Sequence, residues 1–153
     1  MAAEFDPQGA VLGISDAVAE AILSTRSDAI VAADQDGIIR FWNPGAERLF
    51  GYSRDDAISR SLDLIIPERL RQRHWGGYRR VMETGKSRYG EGDVLSVPAV
   101  RKNGATISVE FTIVLFADIN GQMTGIAAIM RDATKTFEEL RALRSAARAT
   151  GAD

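Results

Sequence analysis

Apolar and polar residues alternate most strictly between Thr106 and Leu115, where Ile107, Val109, Phe111, Ile113 and Leu115 interleave with Thr106, Ser108, Glu110 and Thr112. A period of two is that of a strand with one buried face. Two shorter β-type runs, Ala29–Ala33 and Ile38–Trp42, flank Asp34-Gln35-Asp36-Gly37, a tight-hairpin signal with glycine where positive φ is needed. Val94–Val100 predicts a strand that Pro98 confines to an edge or a bulge. Met123–Met130 is apolar on both faces, and turns at Lys102-Asn103-Gly104 and Asn120-Gly121 separate these late strands.

Helical spacing appears elsewhere. Residues 1–13 show no period and predict a loose arm, while Val18, Ala21 and Ile22 predict a short helix over 15–23 with Ser15 or Asp16 as its cap. Asn43-Pro44 stops a strand and opens a helix through Ala46, Leu49 and Phe50 that Gly51 ends. Ser53 caps a further turn, and Leu62, Leu64, Ile65 and Ile66 form a brief apolar piece. A last helix starts at Thr134 with Phe137, Leu140, Leu143 and Ala147 on one side. Two strands, several short helices, three strands and a terminal helix predict an α+β fold: a five-stranded antiparallel sheet, short helices on one face, and flanking N- and C-terminal helices.

The segment Pro67–Gly85 holds the chain's one histidine. On a helix, Leu70, His74, Gly77, Tyr78 and Val81 share a face, which sets the histidine in an apolar stripe. Gly76 and Gly77 each cost roughly 1 kcal/mol in a helix interior relative to alanine. That cost predicts a backbone lying close to something flat and bulky. The arginines 69, 71, 73, 79 and 80 occupy most of the remaining surface and read as a solvated face. Trp42 and Trp75 could stack on a flat ligand, but buried or half-exposed packing is the commoner use of tryptophan.

Composition narrows the chemistry. There is no cysteine, so disulfides, thiolate nucleophiles, iron–sulfur clusters and Cys-rich zinc sites are excluded. A single histidine excludes a multi-histidine metal site. A net charge of −2, from 19 Lys and Arg against 21 Asp and Glu, gives no global basic field for nucleic acid. No apolar run approaches the ~18–20 residues of a membrane span, and MAAEFDPQGA lacks the features of a signal peptide. A cytoplasmic protein is the expectation. Gly85-Lys86-Ser87 imitates the end of a phosphate-binding loop, but Arg80 stands where its first glycine belongs and the segment follows a helix. The aspartates at 34, 36, 55, 56 and 118 lie in turns. No nucleophile–base pair or paired carboxylates stand out, so the expectation is a non-enzymatic protein.

Several pieces in register carry a family resemblance. They are Asp34-Gln35-Asp36-Gly37-Ile38-Ile39, then Trp42-Asn43-Pro44-Gly45-Ala46-Glu47-Arg48-Leu49-Phe50-Gly51-Tyr52, Ile66-Pro67-Glu68-Arg69-Leu70, Arg101-Lys102-Asn103-Gly104 and Arg131-Asp132-Ala133-Thr134. Over about residues 24–134 the chain resembles a PAS sensor domain of the S-box type. The resemblance implies three parts: an N-terminal arm and short helix over 1–23, a sensor domain over 24–134, and an amphipathic signalling or dimerisation helix over 135–153. PAS domains with a flavin adduct or a thioester-linked chromophore need a cysteine, which this chain lacks.

The haem-binding oxygen-sensor PAS domains ligate iron through a histidine about seven residues after the proline that opens this helix, and His74 follows Pro67 by seven. By position the resemblance implies haem b with His74 on the iron, Arg80 meeting a propionate, Tyr78 beside the ligand, and Phe111, Ile113 and Met130 on the apolar wall. Leu95 stands where the oxygen sensors place an arginine that hydrogen-bonds dioxygen, and about Asp93 where one of them uses a methionine ligand. Carbon monoxide, nitric oxide or redox sensing is then implied as much as oxygen. The alternative is a cofactor-free interaction module, or one holding a small apolar metabolite or non-covalent flavin. The flanking helices, 15–23 and 134–149, imply a homodimer that couples to an effector domain or partner protein, with no nucleic acid and no membrane. Both an excised sensor module and a stand-alone protein fit.

Overall fold

The computed structural model describes residues 7–90 and 92–151. Eleven elements follow in order: α1 (Pro7–Leu23), β1 (Ala29–Asp34), β2 (Ile39–Trp42), α2 (Pro44–Phe50), α3 (Arg54–Ala57), a 3-10 turn (Leu62–Leu64), α4 (Glu68–Thr84), β3 (Leu95–Val100), β4 (Thr106–Ala117), β5 (Met123–Asp132) and α5 (Thr134–Ala149). The strands form one antiparallel sheet in the order β2-β1-β5-β4-β3. The expected α+β architecture is present, and Pro98 lies on an edge strand as its missing N–H requires.

The order explains the composition of each strand. β1 and β5 lie inside the sheet, so β5 is apolar on both faces. One face of the sheet carries α2 and α3, and there Trp42, Phe50, Ile39 and Val109 are almost fully buried. Asn43 rivets this end. Its Oδ1 accepts from the N–H of Ile30 (2.7 Å) and of Ala46 (2.8 Å), and its Nδ2 donates to the carbonyls of Thr25 (3.1 Å) and Asp28 (2.9 Å). One side chain thus caps α2 and ties it to β1 with every polar atom satisfied. Gly45 follows because a Cβ there would lie 1.8 Å from the Asp28 carbonyl oxygen.

The N-terminal helix differs from its expectation. It begins at Pro7 and not near residue 15, so Ser15 and Asp16 are interior positions and not caps. Proline suits a first helical turn, and the glycines that read as a loose arm are carried within the helix. Residues 1–6 of the expected arm lie outside the described residues. Ile14, Val18 and Ile22 on α1 are about half exposed or more, as are Phe137, Leu140 and Leu143 on α5. None of these six side chains is buried against the sheet. No described helix is long and apolar enough to cross a membrane.

Candidate functional site

Helix α4 brings the candidate ligand to the sheet. The chain enters it from the 3-10 turn, and Gly85 at φ 67° ends it with its N–H on the Val81 carbonyl. Tyr78 is the buried residue of the helix; Leu70, His74, Trp75, Val81 and Met82 are half-buried, and Gly77 is exposed. The inward face is therefore rotated slightly from the expected one, with Trp75 on it in place of Gly77. A Cβ at Gly76 or Gly77 would meet nothing within 4 Å. No part of the polypeptide approaches the two glycines closely.

Three contacts dock α4. The Tyr78 hydroxyl lies 2.5 Å from the Asp34 carbonyl and 3.3 Å from that of Ala33, and donates to the nearer. Trp75 packs over the β1–β2 turn, where a Cβ on Gly37 (φ 75°) would come 2.1 Å from the indole. Its Nε1–H donates to Asp63 Oδ1 at 2.8 Å. The helix thus crosses the sheet at the hairpin end of β1. Burial, then the carboxylates of Asp34 and Asp36, push the Tyr78 phenol well above its ordinary value, so it stays a neutral donor.

His74 sits between these anchors. Its ring centroid is 4.7 Å from that of Trp75, edge-on, and 5.7 Å from that of Tyr78. Nδ1 is buried and has no hydrogen-bond partner among the described residues. Burial lowers the imidazole pKa, against the opposing charge of Asp63, and so favours the neutral, metal-binding form. No group of three or more metal-ligating side chains forms among the described residues.

The strand candidates form their own row. Leu95 pairs with Phe111, Phe111 with Met130, and Met130 with Ala29, so three of them lie side by side across β3, β4 and β5. Ile113 lies one step on, opposite Ala128. Met130 is buried in the main core, whereas Leu95, Phe111 and Ile113 are half-buried. This row begins at Ala29, and Tyr78 docks at Ala33 and Asp34. Four residues of β1 separate them, about 13 Å. The strand row in register with the docking point is Ala33, Ile126 and Leu115, all on the same sheet face as Phe111. Ile126 and Leu115 were not singled out, although the alternation of β4 puts Leu115 on the same face as Phe111. Arg80 is exposed on the flank of α4 and makes no ion pair among the described residues. A shallow depression of about 240 Å³ lies elsewhere, bounded by Phe50, Gly51, Arg101, Lys102 and Asn103. It has no part of the histidine helix.

An α+β scaffold with one inward histidine invites comparison with known proteins. The family model of the PAS domain matches residues 27–135. The chain belongs to the PAS domain family. It is 31% identical over 135 residues to an uncharacterized protein of Azorhizobium caulinodans, covering 85% of this chain and 17% of that protein. It is 34% identical over 83 residues to the oxygen sensor protein DosP of Escherichia coli, covering 54% of this chain and 10% of DosP. With the sensor protein FixL of Bradyrhizobium diazoefficiens it shares 34% identity over 93 residues, 60% of this chain and 18% of FixL. The chain spans less than a fifth of the length of each of these relatives. Among solved structures, the PAS domain of a Colwellia psychrerythraea protein superposes with a TM-score of 0.67 at 28% identity, over 80% of this chain and 98% of that one. An RNA-binding light-oxygen-voltage receptor shares the fold at 19% identity, with a TM-score of 0.68 over 99% of this chain and 41% of the receptor.

Proposed function

We propose that this PAS domain holds haem b with His74 on the iron and senses a diatomic gas or the redox state of that iron. The observation that carries the reading is the buried, unpartnered Nδ1 on the chain's one histidine. An unsatisfied buried polar atom costs roughly 1–3 kcal/mol, and a functional role is one of the reasons for which a fold keeps one. The similarity to DosP, an oxygen sensor by name, supports it. Arg80 would meet a propionate, Tyr78 would hold the helix beside the group, and Leu95, Phe111, Ile113 and Met130 would wall the ligand side. When bound, haem would supply a reducible iron that takes a diatomic gas. The apolar wall excludes water there, and Leu95 in place of a hydrogen-bond donor leaves a bound gas without polar support.

The signal would pass through α1 and α5 in a cytoplasmic, non-catalytic homodimer, and on to an effector domain or partner protein. The exposed apolar sides of both helices support that part of the reading; a monomer at high micromolar concentration in sedimentation would overturn it. The half-exposure of Leu95, Phe111 and Ile113 also favours a second reading, an apolar small molecule in place of haem. One experiment separates the two: absorption spectra of the purified protein and of His74→Ala, before and after haemin. A sharp Soret band that the substitution shifts or abolishes is expected. Haemin uptake indifferent to His74 would overturn the haem reading.

A further inference from the structure

Metal-binding imidazoles usually donate their second nitrogen to a carboxylate or carbonyl, which fixes the rotation of the ring. His74 has no such bond from either nitrogen: Nδ1 is buried without a partner, and Nε2 makes no hydrogen bond among the described residues. Aromatic packing takes over instead. The indole of Trp75 stands edge-on at 78° to the imidazole, and the Tyr78 ring lies tilted at 41° on it. Trp75 also meets Tyr78 edge-on, at 5.4 Å between centroids.

The indole is held from outside the helix. Its N–H reaches Asp63, twelve residues earlier on the 3-10 turn, and its ring covers Gly37 of the β1–β2 turn. Asp63 is itself fixed: its N–H donates to Ser61 Oγ (3.1 Å), and its carbonyl accepts from Arg71 Nη2 (3.3 Å). Arg71 Nε also donates to the Ile66 carbonyl (3.1 Å) and lies 3.8 Å from the Asp63 carboxylate. A tryptophan needed only for packing could leave its N–H to water at a half-exposed site. This one is bonded to the turn that leads into α4.

We infer that Trp75, anchored by Asp63, is the positioning residue for His74 and replaces the hydrogen bond that its ring lacks. The inference rests on the reading of His74 as the residue that faces the cofactor. Loss of the Asp63 bond leaves the Tyr78 bond to β1 and the Arg71 bond to the Ile66 carbonyl in place, and frees the indole beside His74.

The chain's single histidine makes the test direct, because its ring protons give one set of NMR signals displaced by the neighbouring indole. Spectra of the apoprotein and haemin titrations are compared for wild type, Asp63→Asn, Asp63→Ala and Trp75→Phe. Asparagine keeps an acceptor for the indole N–H; alanine removes it, and phenylalanine removes the donor. With the spectra read at about pH 9, where the imidazole is neutral in every variant, the expected result is that Asp63→Ala and Trp75→Phe both move the His74 signals and weaken haemin binding about tenfold, while Asp63→Asn does neither. The double variant should lose no more than either single one. Unmoved His74 signals in Asp63→Ala and Trp75→Phe would overturn the inference, and so would an Asp63→Asn as impaired as Asp63→Ala. If wild type takes up haemin without regard to His74, the haem reading falls by that result alone. The NMR comparison then still decides whether Trp75 sets the ring.

Discussion

The two ends of the sheet's inner face are built to different standards. Around α2 the core is closed: Trp42, Phe50 and Ile39 are buried, the Trp42 Nε1–H donates to the Tyr52 carbonyl, and all four polar contacts of Asn43 are made. Around α4, Ile126 and Leu115 of the sheet and His74, Trp75 and Val81 of the helix are only half-buried, and one buried nitrogen has no partner. Both ends come from the same sheet and similar apolar content. They differ in whether the polypeptide itself completes the packing. The closed end holds the fold, and the open end is left for something to finish. A polar-to-apolar substitution should then have opposite signs at the two ends.

The largest effect is expected at Asn43. Asn43→Ala removes the α2 cap, worth about 1 kcal/mol, and strands the buried Ile30 N–H, which costs about 1–3 kcal/mol more. The urea midpoint should fall by the equivalent of about 2–4 kcal/mol with the m-value unchanged. A loss under 1 kcal/mol would mean that Asn43 is not the rivet of the closed end. Gly37→Ala should follow at about 2 kcal/mol, since alanine pays for a positive φ and its methyl displaces the Trp75 ring. Because that ring lies against His74, tryptophan fluorescence should change along with stability.

At the open end the sign reverses. His74→Leu replaces an unsatisfied nitrogen by apolar surface of similar size, and should raise stability by about 1 kcal/mol while abolishing any His74-dependent Soret band. A destabilised His74→Leu would show that the imidazole is satisfied in solution, and the contrast between the ends would lose its main support.

This contrast was only half legible in the chain. The closed end could be read because its devices are local: Asn43-Pro44 opens a helix, Gly51 ends it, and the alternation of β4 sets its faces. The histidine could be placed on an inward face by spacing alone. Its surroundings could not. The Asp63–Trp75 bond joins a 3-10 turn to the next helix, and no periodicity predicts it. The inward face of α4 turned by about one position, because Trp75 finds a glycine turn to cover where Gly77 finds nothing. The first turns of α1 were hidden for a different reason: glycine reads as a breaker, yet Gly9 and Gly13 both lie within the helix.

The smallest effect concerns the hairpin on which α4 docks, and it tests whether that end depends on electrostatics at all. Burial pushes the Asp34 carboxyl up, but bonds from Arg40 Nε and from the Ile38 and Asp36 N–H groups outweigh it and hold the pKa below its ordinary 3.8. A lowered carboxylate pKa means that the unfolded chain takes up the proton first. The stability Asp34 contributes is then fully present above about pH 4 and lost as pH falls through the lower folded value. Urea midpoints between pH 7 and pH 3 should therefore fall less steeply for Asp34→Asn than for wild type. The partner Arg40 is more than half exposed, so added salt should shrink the difference. Equal slopes would mean that the Asp34 carboxylate adds nothing to the hairpin, and that Trp75 and Tyr78 hold α4 through packing and the Asp34 carbonyl alone.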